Sequence, residues 1–493
     1  MNKSIKNNFL YFSTLEVKNV KCFDDQSQIL DLRRRDGSIS PWTIILGDNG
    51  IGKTTLLKCL AWMSPVQAPE VNEDIVNIGK ALLSEDVDIE KICNATGLDK
   101  DVFLLQDSGR LQVKPYMDDF EDEEEYEKIM RNGKNVETHI VATFCKNISL
   151  GESTLSENEF SIGMKLQKED GKLTIVEPQL HETEEYIVPN IYAYSASRHI
   201  ATKNLDNAIL KNPLYNLFST SSDLYDAEQL LSDLYSTSIF ENGKGLVTDL
   251  LNKLKSILVD LLPNLDKPEH IIINPPLDDK GNKVERLVEI KTPTGNVPLY
   301  NLSLGYQTML SWAVDLGIRM LWQNPDSVNP LEEAAIVIID EIDLHLHPKW
   351  QRELRGLLTK HFKNTQFICT AHSPFMAQSA ENENLCVIEK TENKVVINND
   401  TEAVSGWRIG QIVTSDLFGL ESDRSVEIQN LLDRRTALKK KNRLSKKEDD
   451  ELKQIDVYVD NLPIGENKAE INAAYILRKY AAKLENVNKV NND

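Results

Sequence analysis

A glycine-rich stretch near the amino terminus has the residue pattern of a phosphate-binding loop. The pattern G-x-x-x-x-G-K-T spans 47–54, follows the apolar run 42–46 and precedes the helix-like run 55–62. Its glycines let backbone N–H groups point at a phosphate, at a helix N-terminus that already favours anions. We expect Lys53 to reach the β- and γ-phosphates and Thr54 to bind Mg²⁺. The predicted nucleotide-binding residues are Gly47, Asp48, Asn49, Gly50, Ile51, Gly52, Lys53, Thr54 and Thr55.

Two carboxylates follow a short aliphatic run in the second half of the chain. Residues 336–339 are all Ile or Val, and Asp340 and Glu341 come directly after them. Such a run predicts a buried strand, and ligands of α/β sheets bind at the carboxyl edge of the strands. We expect Asp340 to hold Mg²⁺ through water, and Glu341 to orient the attacking water or to take its proton. The pair therefore predicts hydrolysis, and not nucleotide binding alone.

Two further segments narrow the class of enzyme. Residues 302–307 stand before a long apolar helix pattern, about 30 residues ahead of Asp340, and Ser303 is a natural N-cap there. Taken alone, this segment would be an ordinary helix start. His372 lies in the segment 370–374, which follows the β-rich run 366–369. At this place an imidazole could hydrogen-bond a γ-phosphate.

In this order the four segments resemble the ATP-binding-cassette (ABC) ATPases. The resemblance makes 47–54 the Walker A motif, 302–307 the signature, 336–341 Walker B and His372 the switch histidine. Two heads of that family enclose two ATP molecules, which implies ATP and Mg²⁺ as cofactors and a homodimer or higher homo-oligomer. The implied catalytic residues are Lys53, Glu341 and His372, and the implied signature residues acting on the partner chain's nucleotide are Ser303, Gly305 and Gln307.

The variant of the ABC pattern here is not that of transporter ATPases, whose signature is usually followed by two glycines and whose heads are more compact. Residues 340–351 resemble the D-loop region of the AAA-15/AAA-21 and overcoming-lysogenization-defect (OLD) group, which implies that Asp343 lies at the dimer interface. Residues 405–420 resemble the ATPase subunits of bacterial anti-phage systems, above all Septu (PtuA-like) and its retron-borne relatives. In Septu the nuclease is a separate HNH subunit, so the resemblance implies such a partner and no nuclease activity in this chain.

The resulting expectation for the fold is an α/β ABC-ATPase head with a mixed sheet, an inserted helical lobe and a helical carboxyl-terminal extension. A leucine-rich helix pattern ending before Pro263 predicts the lobe, and Ser445 with Glu448 predicts a capping box in the extension. The expected segments are 1–64 (head, Walker A half), 65–190 (mixed α/β insertion with the acidic stretch 118–127), 191–284 (helical lobe), 285–400 (head, second half) and 401–493 (helical unit for oligomerisation or partner binding).

Composition limits the classes of partner. The net charge is −21 with 41% hydrophobic residues, which favours a folded protein and excludes a general nucleic-acid-coating or membrane-surface protein. The longest aliphatic run, 335–339, is far shorter than the roughly 18 residues of a membrane-spanning helix. The six cysteines have neither paired nor metal-type spacing, and the first residues carry no long apolar core. We therefore expect a cytoplasmic protein without a membrane partner.

Alternative functions stay open at this point. An OLD-type nuclease would need a Toprim domain, and the roughly 90 residues after 400 show no metal-binding cluster of that kind. DNA clamps often carry a long heptad coiled coil, and 55–300 shows no sustained heptads. A shorter, RecF-like DNA-repair clamp remains an alternative. A related defence ATPase with a Toprim nuclease or a reverse transcriptase as partner is another. Local DNA contact could come from the basic run 434–447 or from Arg33–Arg35, and 194–199 is a candidate nucleotide-sensing loop.

Overall fold

The computed structural model describes most of the predicted head and shorter parts of the remainder. The acidic stretch 118–127 lies outside the described residues, as does Arg198 in the candidate sensing loop. The described residues are 9–67, 70–71, 104–105, 110–113, 128–131, 137–147, 150, 159–169, 172–176, 181–182, 189–197, 199–200, 213–218, 223–224, 226–240, 242, 244–262, 265–277, 280–292, 295–324, 327–380, 384–391, 394–462 and 476–477.

Strands and helices alternate through these ranges. The strands are β1 (Phe9–Lys18), β2 (Gln28–Asp31), β3 (Trp42–Gly47), β4 (Pro65–Gln67), β5 (Glu70–Val71), β6 (Leu104–Leu105), β7 (Arg110–Val113), β8 (Thr138–Asn147), β9 (Glu159–Glu169), β10 (Lys172–Val176), β11 (His181–Glu182), β12 (Asn190–Tyr194), β13 (His199–Ile200), β14 (Asp223–Leu224), β15 (Ile271–Ile273), β16 (Val288–Thr292), β17 (Gly295–Pro298), β18 (Ala335–Ile339), β19 (Thr365–Thr370), β20 (Asn384–Lys390) and β21 (Val395–Asn398). The helices are α1 (Lys53–Trp62), α2 (Tyr215–Phe218), α3 (Ala227–Phe240), α4 (Leu246–Leu261), α5 (Leu304–Gln323), α6 (Pro348–His361), α7 (Pro374–Ser379), α8 (Ile409–Val413), α9 (Val426–Lys439) and α10 (Lys446–Asp460), with 3₁₀ turns at Pro268–His270, Leu299–Asn301 and Pro330–Glu332.

A six-stranded mixed sheet is the central layer of the first of two compact units, Met1–Ile412 and Val413–Asp493. Its strand order is β12-β18-β19-β3-β20-β21, and every neighbouring pair is parallel except β20 with β21. All five residues of β18 and all six of β19 are buried, as expected for continuous apolar strands covered on both faces. Since β3, β18 and β19 run parallel, their carboxyl ends meet at one edge. The predicted α/β class with a mixed sheet is confirmed.

A second sheet covers α1. It is antiparallel, in the order β10-β9-β8-β1-β2. Its buried Phe12 and Phe144 belong to one hydrophobic cluster with Leu56 and Leu60 of α1 and Ile338 of β18. Strands β8 and β9, which lie in the expected 65–190 insertion, thus extend a sheet that begins with β1. The expected segment boundaries stay predictions.

Helices α3, α4 and α5 form the helical layer beside the small sheet β15-β16-β17. The predicted apolar stripe of α4 is buried, and α4 ends before Pro263 as expected. Packing against α5 is close, since a Cβ on Gly317 would lie 2.6 Å from Cδ2 of Leu254. None of the helices in the described ranges is long and apolar enough to cross a membrane.

The second unit contains the hairpin of α9 and α10. The predicted capping box is confirmed: Ser445 accepts a hydrogen bond from the Glu448 N–H, and Glu448 accepts one from Ser445. Several of the predicted basic residues face acids of α10, and Arg434 makes a bidentate pair with Glu451 at 2.8 Å. The basic run is therefore partly neutralised within the hairpin, and DNA contact there stays a prediction.

Candidate nucleotide-binding site

The loop between β3 and α1 has the backbone that its glycines predict. Gly47, Gly50 and Gly52 have φ values of 141°, 75° and 111°, which L side chains rarely adopt. There is also no space for a side chain at two of these positions. A Cβ on Gly47 would lie 2.6 Å from the Ile388 carbonyl oxygen, and a Cβ on Gly52 would lie 2.6 Å from the Cys22 sulfur. The N-cap of α1 is Gly52, which has no side chain to cap the helix. The first N–H groups of α1 can therefore bind an anion.

Lys53 is folded back over this loop. Its Nζ donates hydrogen bonds to the carbonyl oxygens of Gly47 at 2.7 Å and Asp48 at 2.8 Å. Burial lowers the pKa of Lys53, while the nearby carboxylates of Asp340 and Glu341 oppose that shift. A cation is thus fixed in the loop at the position where the motif expects phosphate.

The two predicted magnesium ligands are in direct contact. The Thr54 hydroxyl donates to Oδ2 of Asp340 at 2.7 Å, and the Thr370 hydroxyl donates to Oδ1 of Asp340 at 2.5 Å. Thr370 also accepts a hydrogen bond from the backbone N–H of Glu341 at 2.7 Å. The end of β19 therefore fixes both acidic residues that follow β18. Thr370 is part of the site although no motif predicts it.

Glu341, Asp343 and His372 lie on two adjacent loops that follow β18 and β19. Glu341 has a φ of 47°, an uncommon left-handed conformation for a residue other than glycine. The backbone N–H of His372 donates to Oδ2 of the buried Asp343 at 3.0 Å. The predicted D-loop aspartate is therefore joined to the predicted switch-histidine loop within one chain.

These side chains surround a pocket of about 280 Å³ at the carboxyl edge of the sheet. Lys53, Thr54, Asp340, Glu341 and His372 all line it. The full set of lining residues is Lys21, Cys22, Asn49, Gly50, Gly52, Lys53, Thr54, Thr55, Asp340, Glu341 and His372. Of the predicted loop residues, Gly47, Asp48 and Ile51 belong to the loop without lining this pocket.

Sequence reasoning did not find Lys21 and Cys22. Both follow β1, and the Cys22 thiol donates to the Ile51 carbonyl oxygen at 3.0 Å. Neither residue belongs to a motif, and pairing of the amino-terminal strands brings them to the loop. The segment between β1 and β2, which contains both residues, has no sequence pattern that indicates a binding site.

The predicted signature, 302–307, is not among the segments that line the pocket of its own chain. Ser303 is the exposed N-cap of α5, and Gln307 donates through Nε2 to the carbonyl oxygens of Tyr300 and Leu302, both at 2.7 Å. Gly305 packs against the D-loop region, since a Cβ there would lie 2.2 Å from the His345 carbonyl oxygen. The structure therefore brings the signature to the Asp343 loop and leaves Ser303 facing outward.

The residues present fit ATP and Mg²⁺. The glycine loop has three positive φ values and leads into the start of α1, where backbone N–H groups can surround a phosphate. Thr54 and Asp340 supply the oxygen ligands that Mg²⁺ prefers, and Mg²⁺ commonly takes its other ligands from water and phosphates. Across the described ranges, no group of three or more His, Cys, Asp or Glu side chains could hold a metal ion. His345 and His347, two residues apart, form no such group.

Solved structures that match this chain include SMC heads. The SMC head bound to the C-winged helix domain of ScpA matches 80% of this chain and 99% of its own, with a TM-score of 0.37 and 16% identity. The SMC head domain from Thermotoga maritima matches 79% of this chain and 99% of its own, with a TM-score of 0.35 and 14% identity.

Curated relatives include two kinds of protein. The Retron Ec83 probable ATPase of Escherichia coli is 31% identical over 232 residues, which are 46% of this chain and 40% of that protein. The Septu protein PtuA of Bacillus mycoides is 34% identical over 139 residues, 28% of this chain and 19% of that protein. The alignments thus span less than half of either relative. The AAA ATPase domain model (AAA_15) matches residues 11–377, and the chain belongs to that family.

Proposed function

We propose that this chain is an ATP-binding and ATP-hydrolysing regulatory subunit of a bacterial anti-phage defence complex. The observation that carries the proposal is the pocket in which Lys53, Thr54, Asp340, Glu341 and His372 converge. Similarity to proteins named for retron Ec83 and for Septu supports the setting in defence.

Each pocket residue has a distinct part in the proposed reaction. The loop N–H groups and Lys53 bind the β- and γ-phosphates, and Thr54 and Asp340 hold Mg²⁺, which supplies charge neutralisation on the phosphates. Glu341 orients water and accepts its proton as the water oxygen bonds the γ-phosphorus and the bond to the β-phosphate oxygen breaks. His372 donates a hydrogen bond to the γ-phosphate. The products are ADP and inorganic phosphate.

Dimerisation around ATP is the second part of the proposal. Ser303 is exposed and Leu304 beside it is 60% exposed, so the start of α5 offers a surface to a second copy. Ser303, Gly305 and Gln307 would then act on the nucleotide in the partner's pocket, with Asp343 at the interface. A homodimer or a higher homo-oligomer follows from this arrangement.

The third part is control of a separate nuclease. We infer an HNH nuclease as partner from the similarity to Septu, and the unit after residue 400 as the oligomerisation or partner-binding part. The chain itself is proposed to lack nuclease activity and a membrane partner, and to act in the cytoplasm.

The test of the ATPase compares three full-length proteins. Lys53→Ala is expected to lose at least tenfold in affinity for a fluorescent ATP analogue, because it removes the cation in the phosphate loop. Glu341→Gln should keep that affinity, slow ATP turnover ~10²-fold or more and accumulate as an ATP-bound dimer in light scattering. Normal turnover by Glu341→Gln would refute the catalytic role of Glu341. If Glu341→Gln stayed a monomer with saturating ATP, the proposed dimerisation around ATP would be refuted.

The partner is tested by affinity purification of tagged Glu341→Gln from the native host. An HNH nuclease among the proteins identified by mass spectrometry supports the proposal, and a reverse transcriptase in addition points to a retron. A Toprim nuclease instead would indicate a related defence system, and DNA-repair proteins alone would indicate a RecF-like clamp. Cleavage of DNA by the isolated chain with Mg²⁺ would contradict the regulatory role.

A further inference from the structure

The side chain of Gln351, in the first turn of α6, connects two loops of the site. It is buried, and its Nε2 donates to the carbonyl oxygens of Asp343 at 3.2 Å and Leu346 at 3.0 Å. Its Oε1 accepts a hydrogen bond from the Ser373 hydroxyl at 2.6 Å. One amide therefore spans the D-loop region and the loop that carries the predicted switch histidine.

Only an amide matches these partners. A carbonyl oxygen accepts and cannot donate, so both carbonyls require the two hydrogens of Nε2, and the hydroxyl then serves Oε1. A carboxylate of the same shape would present oxygen to two carbonyl oxygens and remove one donor from each of them. The Asp343 carbonyl would keep only its bond from the Leu346 N–H at 3.1 Å, and the Leu346 carbonyl would lose the Nε2 donor. Replacing Gln351 with glutamate thus preserves the side-chain volume and removes the two N–H donors.

The loop held by Gln351 carries unusual backbone. Glu341 and His345 have φ values of 47° and 63°, and such conformations persist only where surrounding contacts enforce them. Gln351 supplies two of those contacts, at residues 343 and 346, on either side of His345. The Asp343 side chain in turn accepts the His372 N–H.

The same loop also touches the signature. A Cβ on Gly305 would lie 2.2 Å from the His345 carbonyl oxygen, so a shift of this loop moves directly against the start of α5. A second contact is the edge-on packing of Tyr306 on Trp350, with ring centroids 5.5 Å apart. Gln351 follows Trp350 in the chain, and its helix is therefore anchored to both the loop and the signature.

We propose that Gln351 is a positioning residue that holds the D-loop, the switch-histidine loop and the signature in one geometry, so that the state of a chain's own pocket is coupled to the signature it presents to a partner. The inference rests on the proposed ATPase function. Gln351 is not among the residues that line the pocket, and it acts through Asp343 and Ser373.

The test uses Gln351→Glu, with Glu353→Gln as the matched control on an exposed position of the same helix. For Gln351→Glu, we expect kcat for ATP to fall at least tenfold, while the Kd of a fluorescent ATP analogue changes less than threefold. The control should keep kcat within twofold. A role in packing alone would leave Gln351→Glu active, and a kcat within twofold of wild type would overturn the proposal. The proposal would also be overturned if Gln351→Glu lost affinity for the fluorescent ATP analogue to the same extent as kcat.

Amide hydrogen exchange provides a readout that does not depend on hydrolysis. In Gln351→Glu, exchange at the His372 and Ile342 amides should be at least tenfold faster, because the two loops lose their common anchor. If the wild type proves inactive, the proposed ATPase function fails, and unchanged exchange at these amides would separately refute positioning by Gln351. Should Gln351→Glu not fold, Gln351→Leu is measured by the same exchange and kinetic criteria.

Discussion

The Thr54 hydroxyl donates a 2.7 Å hydrogen bond to Oδ2 of Asp340, and 286 positions of sequence separate the two residues. We expect Asp340→Asn to raise the Mg²⁺ concentration for half-maximal ATP turnover at least tenfold, because the change removes the ligand charge and keeps the shape. Thr54→Ser retains the hydroxyl and should change this value less than threefold. Turnover is titrated with Mg²⁺ at saturating ATP, and an unaltered Mg²⁺ dependence in Asp340→Asn would contradict the assignment.

Gly305 touches the D-loop region where no side chain fits. In Gly305→Ala, a Cβ 2.2 Å from the His345 carbonyl oxygen must displace that loop. We expect ATP turnover to fall at least tenfold, with affinity for the nucleotide retained, since Gly305 lies outside the pocket. Gly356→Ala is the control, because an added Cβ there meets nothing within 4 Å. Equal turnover in both variants would show that the contact is dispensable.

Cys22 reports occupancy of the pocket. It is half-buried, whereas the other four cysteines of the described residues are buried. Burial raises the pKa of the Cys22 thiol, so alkylation by iodoacetamide should be slow at pH 7 and faster at pH 9. Saturating Mg-ATP should slow labelling of the Cys22 peptide at least tenfold in wild type and leave it unchanged in Lys53→Ala, as measured by mass spectrometry. Equal protection in both proteins would place the nucleotide elsewhere.

Arg319 pairs with the fully buried Asp315 at 2.8 Å, and the Tyr194 hydroxyl donates to the same carboxylate oxygen at 2.8 Å. Removing the arginine leaves a carboxylate in a buried place, so Arg319→Met should lower the free energy of unfolding by about 3 kcal/mol. The exposed control Arg352→Met should change it by less than ~0.5 kcal/mol. Urea denaturation measures both, and a loss equal to that of the control would contradict the prediction.

Glu228 makes stability depend on pH. Burial and the Asp226 carboxylate raise the pKa of Glu228 from 4.5 to about 7, against a hydrogen bond from the Tyr300 N–H that lowers it. Between these pH values the folded protein binds more protons than the unfolded chain, so this contribution to stability is lost as pH rises. Glu228→Gln should therefore be more stable than wild type at pH 8, by about 1 kcal/mol once partial exposure is discounted.

The gain in Glu228→Gln should disappear towards pH 5, where wild-type Glu228 is protonated in the folded state. Urea denaturation at pH 5, 6.5 and 8 measures the difference in the free energy of unfolding between Glu228→Gln and wild type. Contributions from titrating groups that both proteins share cancel in this difference. Glu353→Gln is measured alongside as the control for the loss of an exposed carboxylate. A gain independent of pH would mean that the substitution acts through packing.

Local patterns predicted the central strands and the ends of several helices. The continuous apolar run before Asp340 and the apolar run before Gly47 form buried parallel strands, because such runs are stable only when covered on both faces. Pro263 and the Ser445–Glu448 pair predicted a helix end and a helix start, since both depend on residues within one turn. The resemblance of 340–351 to the AAA-15/AAA-21 group indicated the family, and the AAA ATPase domain model over 11–377 confirms it.

Contacts between distant segments were beyond prediction from the sequence. Thr370 binds both Asp340 and Glu341 through one hydroxyl, and nothing near Thr370 in the sequence indicates that role. The same holds for Cys22 in the pocket and for Gln351 between two loops. Their positions depend on which strands pair and in what register, and these choices are made by the whole core.

The sequence by itself thus predicted the chemistry that the chain can offer: a glycine loop for phosphate, candidate oxygen ligands for Mg²⁺ and an acid placed after a strand. Such motifs work through spacing along the backbone, which the sequence contains. The tertiary structure alone decided that Asp343 meets His372 and that His345 presses on Gly305. Asp343 and His372 meet because the parallel strands β18 and β19 bring their carboxyl ends to one edge of the sheet, and Gly305 meets His345 through the packing of α5 against the loop after β18.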